Sequence, residues 1–296
     1  MVRSIGALVR RVAPAAVVSR LPPRLRARAR AALGLEPWPD LAVRHPLFRE
    51  AEYRALRRAA RAFDAPSPGK PVLERGHQTA YLVSRWLAAV PVRGAFHVGY
   101  ASGRYLFYLS RLGIRAGGVD LPPEESQWAR VPDGVLDEGT RRRMLSADFF
   151  DLTPEAIRAA WSEEVWPVDV LFTEATFETA LPWRDEGVSV PRYARMDPAA
   201  RDRLMRERLP GQLAALRGCF RSFALIEPEP SAGGAGAVFE GCARQLSGLS
   251  YSVWRFRPPF DSLFRLSPWS PVRQTVYAFT GDERLTAALR PFAERA

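Results

Sequence analysis

The chain has 296 residues, of which 47% are hydrophobic and 25% are charged, enough for one large α/β domain with an appendage or for two small domains. Its net charge is +11, but the first 62 residues carry +10 of that charge, so the rest of the chain has no general reason to bind nucleic acid. Two cysteines form neither a disulfide framework nor a zinc site, and they indicate buried thiols in a reducing cytoplasm. We expect no bound metal and no membrane span, because no apolar run approaches the roughly 18 residues that a span needs.

The basic charge begins in residues 1–34, which hold eight arginines and no acid. Apolar residues recur there at helical spacing, and Pro14 and the Pro22-Pro23 pair divide the stretch into short pieces. Three interpretations are open. The segment packs on the main domain, lies as an interfacial helix on anionic lipid at the inner membrane surface, or is a cleaved targeting peptide.

A second amphipathic helix is predicted over residues 43–63, and the proline- and glycine-rich stretch at 64–71 is typical of a linker. We therefore divide the chain into a basic, helical N-terminal arm (1–70) and a main domain (71–296).

Helical and strand patterns alternate from residue 75 onward. Helices are predicted close to 75–90, 103–112, 196–220 and 237–247. Strands are predicted at 94–99, 115–119, just before 147, 168–175, 221–230, 251–257 and 273–281. Five strands separated by helices, followed by two that pair antiparallel, predict a doubly wound, mostly parallel seven-stranded sheet with helices on both faces.

The stretch FHVGYASGRYLFYLSRLGIRAGGVDL, residues 96–121, has the pattern of a nucleotide-type cofactor site. A buried strand leads into the small-residue loop Gly99–Gly103, which we call the glycine loop, and a helix follows it. Backbone N–H groups of such a loop and the positive end of the helix can approach a ligand. Asp120 ends the next strand, where a carboxylate can accept hydrogen bonds from ribose hydroxyls.

The dinucleotide fingerprint G-x-G-x-x-G fits poorly, because Ala101 and Arg104 stand where it needs glycine. The G-x-x-x-G spacing of Gly99 and Gly103, with Asp120 at the end of the second strand, resembles motifs I and II of the class I S-adenosylmethionine-dependent methyltransferases. The resemblance covers about residues 75–281 and implies S-adenosylmethionine as cofactor. It implies a cofactor site formed by His97, Gly99, Tyr100, Ala101, Gly103, Asp120, Leu121, Asp148 and Phe149.

In this family Asp120 corresponds to the acid that binds the ribose. Asp148 corresponds to the residue that faces the adenine, with Phe149 beside the ring, and Glu174 to a residue close to the transferred methyl group. Simpler roles stay open: Asp120 can cap a helix that begins at Leu121, and Asp148 can cap a turn. Glu174 can be an ordinary polar residue at the end of a strand.

The sequence departs from the family pattern at two positions. His97 stands where the family commonly has an acid, and Ala101 replaces the middle glycine. An alanine there is tolerated at negative φ, whereas a positive φ would cost on the order of 1 kcal/mol.

Methyl transfer to a hydroxyl usually needs a base as well as close contact between donor and acceptor. We predict that Glu174 or His77 supplies it. The aromatic segment 252–274 can line the acceptor pocket, or equally form an interface flap.

The function predicted from the sequence is methyl transfer, most simply O-methylation, to a small-molecule, glycan or lipid-linked acceptor in the cytoplasm, with possible membrane contact through residues 1–34. The alternatives are an RNA methyltransferase that uses the basic arm and a non-catalytic relative that acts as an interaction protein. The sequence does not indicate an oligomeric state.

Overall fold

A computed structural model describes residues 45–64, 74–90, 92–125, 131–161, 165–174, 176–177, 197–228, 235–246, 248–257 and 274–296. The predictions for residues 1–34, for most of the linker and for 258–273 lie outside these ranges. The helices, labelled in chain order, are α1 (Glu50–Ala59), α2 (Glu74–Ala89), α3 (Arg104–Arg111), α4 (Glu138–Arg142), α5 (Pro154–Ala160), α6 (Pro198–Ala215), α7 (Ala235–Gln245) and α8 (Glu283–Ala287).

One sheet contains all eight described strands. They are β1 (Gly94–Val98), β2 (Arg115–Asp120), β3 (Met144–Ser146), β4 (Val168–Glu174), β5 (Phe220–Pro228), β6 (Ser250–Phe256), β7 (Gln274–Thr280) and β8 (Ala293–Arg295). Their order across the sheet is β3-β2-β1-β4-β5-β7-β6-β8. Strands β1 to β5 pair in parallel, and β7, β6 and β8 continue the sheet in antiparallel pairs.

The α/β class, the seven predicted strands and the antiparallel pairing of the last two of them are confirmed. The prediction of a mostly parallel seven-stranded sheet is wrong, because the sheet is mixed and has an eighth strand. Strand β8 has only three residues and pairs with β6 through Phe256↔Ala293 to Trp254↔Arg295. A run this short has no recognisable alternation, so its pairing depends on the strand already in place beside it.

The central strands are buried on both faces, which explains their nearly continuous apolar sequences. Every residue of β1 is buried, and successive side chains enter opposite cores. Ala95 belongs to the core under α2 and α3, and Phe96 to the core under α5, α6 and α7. Helices therefore cover both faces of the sheet, as predicted.

Local capping determines where several helices begin. The Thr153 hydroxyl accepts from the Ala156 N–H at the start of α5, and the Asp197 carboxylate accepts from the Ala199 and Ala200 N–H groups at the start of α6. Both helices have proline at their first position, where the missing N–H is not needed. Each start is thus encoded within three or four residues.

Residues 45–64 pack against the main domain. Tyr53 and Phe63 belong to the same core cluster as Tyr81 of α2, and the Tyr81 hydroxyl donates to Glu52 (2.7 Å). Burial and the bond to Glu52 raise the pKa of Tyr81 far above its ordinary value. The division at residue 70 stays a prediction, and this part of the arm shares its core with α2 and α3.

The direction in which strands are added to the sheet reverses between β1 and β4. Strands β2 and β3 follow one another on one side of β1, and β4 and β5 follow one another on its other side. In doubly wound sheets, ligands bind at the carboxyl ends of the strands beside such a reversal. The glycine loop follows β1 and therefore lies at this point. None of the described helices is long and apolar enough to cross a membrane.

Candidate functional site

The glycine loop has a left-handed backbone at alternate residues, with φ of 76° at Gly99, 48° at Ala101 and 79° at Gly103. Ala101 is the one non-glycine residue with positive φ in the described part of the chain. The left-handed region costs an alanine roughly 1–2 kcal/mol, and such strain persists only where surrounding contacts impose it. The unfavourable case considered for Ala101 is thus the one that the loop adopts.

Asp120 supplies a side-chain contact that holds this conformation, beside the backbone bonds from the Gly99 N–H to the Val119 carbonyl and from the Gly103 N–H to the Tyr100 carbonyl. Its Oδ2 accepts from the Ala101 N–H (2.6 Å), and its Oδ1 accepts from the Leu121 N–H (2.7 Å). The half-buried carboxylate is therefore fixed at the end of β2 and joined to the loop after β1. The described residues 121–125 contain no helix, so within them Asp120 does not act as a helix cap.

The outer glycines make room for protein side chains. A Cβ at Gly99 would lie 2.7 Å from the Thr176 methyl carbon, and a Cβ at Gly103 would lie 3.0 Å from a Val131 methyl carbon. With their positive φ, both positions require glycine. Segments after β2 and β4 thus close on the glycine loop from two sides.

Tyr100 and Leu121 flank the loop and Asp120, and both are buried. Burial, and to a smaller extent the charge of Asp120, raises the pKa of Tyr100 to about 12. Tyr100 is therefore a neutral phenol at physiological pH, and it can donate a hydrogen bond to a ligand or form part of the wall of the site.

His97 is 2% exposed and packs between Phe172, on which it stacks at 4.4 Å, and Tyr105. Burial lowers its pKa to about 3, so the imidazole is neutral. Neither ring nitrogen has a hydrogen-bond partner among the described residues. A neutral imidazole carries one donor and one acceptor, and leaving either unmatched in a buried site costs roughly 1–3 kcal/mol. A hydrogen-bond partner for the ring, from a ligand or a water, would remove this cost.

Asp148 caps the turn Phe149–Asp151, because its Oδ1 accepts from the Phe150 N–H (3.0 Å). Helix α6 holds the same turn through Gln212, whose amide donates to the carbonyls of Phe149 (2.7 Å) and Leu152 (2.8 Å). The capping alternative for Asp148 therefore holds. The predicted contacts of Asp148 and Phe149 with adenine stay a prediction.

The parallel strands bring the predicted residues to one edge of the sheet. The glycine loop follows β1, Asp120 ends β2, Asp148 follows β3 and Glu174 ends β4. Val98 pairs with Thr173, so half-buried Glu174 lies beside the first residue of the glycine loop. These residues therefore lie at one edge of the sheet, and their roles stay a prediction.

His77 lies elsewhere, on helix α2, where its fully buried side chain faces α3 and Asp64. Its Nδ1 is 3.1 Å from the Tyr108 hydroxyl, and its Nε2 is 3.3 Å from Oδ1 of Asp64. The Arg57 guanidinium holds Asp64 with two hydrogen bonds (2.8 and 2.9 Å). Both ring nitrogens thus face protein groups, and the role of His77 as a base stays a prediction.

Sequence reasoning missed Glu227. This residue is fully buried at the end of β5, where its carboxylate accepts from the Thr173 hydroxyl and from the N–H groups of Thr176 and Phe177. The available signal was an acid between Ile226 and Pro228, near the carboxyl end of a predicted buried strand.

These residues fit an adenosyl cofactor on three observations. A fixed acid is joined to the loop, the loop backbone is left-handed at three small residues, and a buried imidazole has unmatched nitrogens. No group of three or more metal-binding side chains occurs among the described residues.

No protein-family model and no curated protein matches this sequence. Solved structures similar to it include a TehB-like SAM-dependent methyltransferase from Corynebacterium glutamicum, at 14% identity and a TM-score of 0.41, covering 79% of this chain and 100% of that one. Another is TomG, the O-methyltransferase of tomaymycin synthesis from Streptomyces achromogenes, in complex with SAM. It has 14% identity and a TM-score of 0.39, and the match covers 79% of this chain and 92% of that one. A third is an O-methyltransferase from Bacillus cereus in complex with SAH. It has 12% identity and a TM-score of 0.40, and the match covers 79% of this chain and 93% of that one.

With identities and TM-scores this low, the case for a cofactor site rests on the chain's own geometry. That geometry agrees with the class I methyltransferase fold that the sequence resemblance implies. The sheet is doubly wound, the glycine loop follows β1, and an acid ends β2.

Proposed function

We propose that the protein binds S-adenosylmethionine at the glycine loop and transfers its methyl group to a hydroxyl of a small-molecule, glycan or lipid-linked acceptor. The observation that carries the proposal is the bond from the Ala101 N–H to Asp120 (2.6 Å). It makes the loop and the acid one unit at the reversal of strand order.

In this proposal the chain's own residues bind the cofactor and orient it. The Asp120 carboxylate accepts from the ribose hydroxyls, and the turn at Asp148 and Phe149 borders the adenine. His97, neutral and buried, hydrogen-bonds the amino-acid end of the cofactor in place of the family's acid. When bound, the cofactor would supply a methyl group on a sulfonium: an aligned nucleophile would bond to the methyl carbon as the bond from that carbon to sulfur breaks, and S-adenosylhomocysteine would leave as a neutral thioether.

An acceptor hydroxyl must lose its proton as its oxygen bonds to the methyl carbon. We assign that proton to the Glu174 carboxylate, because Glu174 ends the strand beside β1 at the same edge as the glycine loop. His77 is the second candidate, and it would need to exchange one of its partners, Tyr108 or Asp64, for the acceptor.

The proposed location is the cytoplasm, with residues 1–34 in contact with the inner membrane surface. RNA is a second candidate acceptor because of the basic arm, which carries +10 of the net charge.

The test supplies the full chain with methyl-labelled S-adenosylmethionine and separates the products. Small-molecule, glycan, lipid and RNA fractions of a bacterial extract serve as acceptors, and Asp120→Ala is the matched variant. Label in a non-RNA fraction that depends on Asp120 supports the proposal. Label found only in RNA would identify RNA as the acceptor. Cofactor binding without any transfer would favour the non-catalytic interaction protein.

A further inference from the structure

Glu227 is a fully buried acid that the proposed chemistry does not use. It is the last residue but one of β5, the strand next to β4 and Glu174, and it pairs with Thr275 of β7. A buried carboxylate is costly unless hydrogen-bond donors surround it. The identity of its donors therefore indicates what the residue is for.

Among the described residues, Thr173, Thr176 and Phe177 donate to this carboxylate. Oε1 accepts from the Thr173 hydroxyl and from the Thr176 N–H (3.2 Å), and Oε2 accepts from the Phe177 N–H (3.2 Å). In each of these bonds a carboxylate oxygen is the acceptor. Both oxygens thus hold Thr176 and Phe177, which we call the 176–177 segment, against the end of β5.

The 176–177 segment in turn contacts both ends of the candidate cofactor site. The Thr176 hydroxyl donates to the Val98 carbonyl (2.8 Å), and its methyl group covers Gly99 so closely that no Cβ would fit there. The Phe177 ring lies 5.5 Å from the ring of Phe149, beside the predicted adenine position.

We propose that Glu227 is a positioning residue for cofactor binding. It fixes the 176–177 segment, and through that segment it sets the glycine loop at one end of the site and Phe149 at the other. The inference rests on the proposed function for its ligand, whereas the positioning itself is a property of the protein without ligand.

The test compares Glu227→Gln with Asp169→Asn in the full chain. Glutamine keeps the size of the side chain but replaces one acceptor by an NH2 donor, which cannot accept from a backbone N–H. Asp169 is a matched control, because its Oδ2 accepts from the N–H groups of Arg93 (2.6 Å) and Gly94 (3.1 Å) at the opposite edge of the sheet.

Two readouts are needed. Titration calorimetry with S-adenosylmethionine gives the Kd, and hydrogen exchange without ligand gives the protection of residues 171–177 and 96–104. We expect Glu227→Gln to weaken the Kd at least tenfold and to lower protection in both peptides. Asp169→Asn is expected to lower the Tm while leaving the Kd and both peptides unchanged.

A wild-type Kd in a folded Glu227→Gln overturns the inference, and so does an equal loss of affinity in Asp169→Asn. If Glu227→Gln does not fold, Thr173→Val removes one donor and leaves the carboxylate. Unchanged Kd and exchange in that variant overturn the inference, whereas a several-fold weaker Kd supports it. If the wild type binds no S-adenosylmethionine, the proposed function fails. Exchange of the 96–104 peptide then decides the positioning role on its own.

Discussion

Replacing Ala101 by glycine should stabilise the protein. Ala101 has a φ of 48°, and the left-handed region costs a residue with a Cβ roughly 1–2 kcal/mol. Glycine removes that strain but adds freedom to the unfolded chain, which costs roughly 0.5–1 kcal/mol. The net gain in the free energy of unfolding is about 0.5–1 kcal/mol, or a Tm higher by about 1–4 °C.

The measurement is urea and thermal unfolding of the ligand-free protein, with Ala288→Gly as control. Ala288 is half-buried like Ala101 but has an ordinary φ of −65°, so its replacement should lose about 0.5–1 kcal/mol. The signs of the two effects should therefore be opposite. Equal destabilisation by both variants would refute the strained loop and the role of Asp120 in holding it.

Three further predictions concern the site. Glu174→Gln should lower turnover by about 10²–10⁴-fold with an unchanged Kd for S-adenosylmethionine, and unchanged turnover would remove Glu174 as the base. Neutral, buried His97 contributes stability that is complete above pH 6.5 and is lost as the pH falls toward 3. From pH 7.5 to 5 the wild type should lose about 2 kcal/mol of unfolding free energy through this residue, and the unfolding free energy of His97→Phe, measured by urea titration, should fall less steeply with pH. Gly99→Ala should destabilise the fold by more than 1 kcal/mol in thermal unfolding. Adding Thr176→Ala should restore part of that loss, because it removes the methyl group that would lie 2.7 Å from the new Cβ. An undiminished loss in the double variant would show that the new Cβ clashes with another group.

The sequence was sufficient for the elements that it encodes locally. Strands β1 and β4 are mostly apolar runs, and α6 begins with a cap followed by proline, so their positions follow from neighbouring residues. Helix α5 likewise begins with a cap followed by proline, but it was not among the predicted helices. Strand β8 could not be predicted in this way, because its three residues pair with a strand about 40 positions earlier.

In the candidate site, too, some features follow from local sequence and others from contacts between distant residues. Gly99, Asp120 and Glu174 follow from strand ends, since parallel strands bring their carboxyl ends to one edge. The φ of Ala101 depends on Asp120, 19 residues later, and the role of Glu227 depends on donors 50 or more residues earlier. Such contacts exist only once the sheet has formed, which is why no local pattern reveals them.

Titration calorimetry of the full chain with S-adenosylmethionine, beside Asp120→Ala, tests the central claim most directly. We predict binding at micromolar concentration that Asp120→Ala abolishes, because the variant loses both the ribose acceptor and the bond that holds the glycine loop. Absence of binding by the folded wild type, or an equal affinity in the variant, would contradict a cofactor site at this loop.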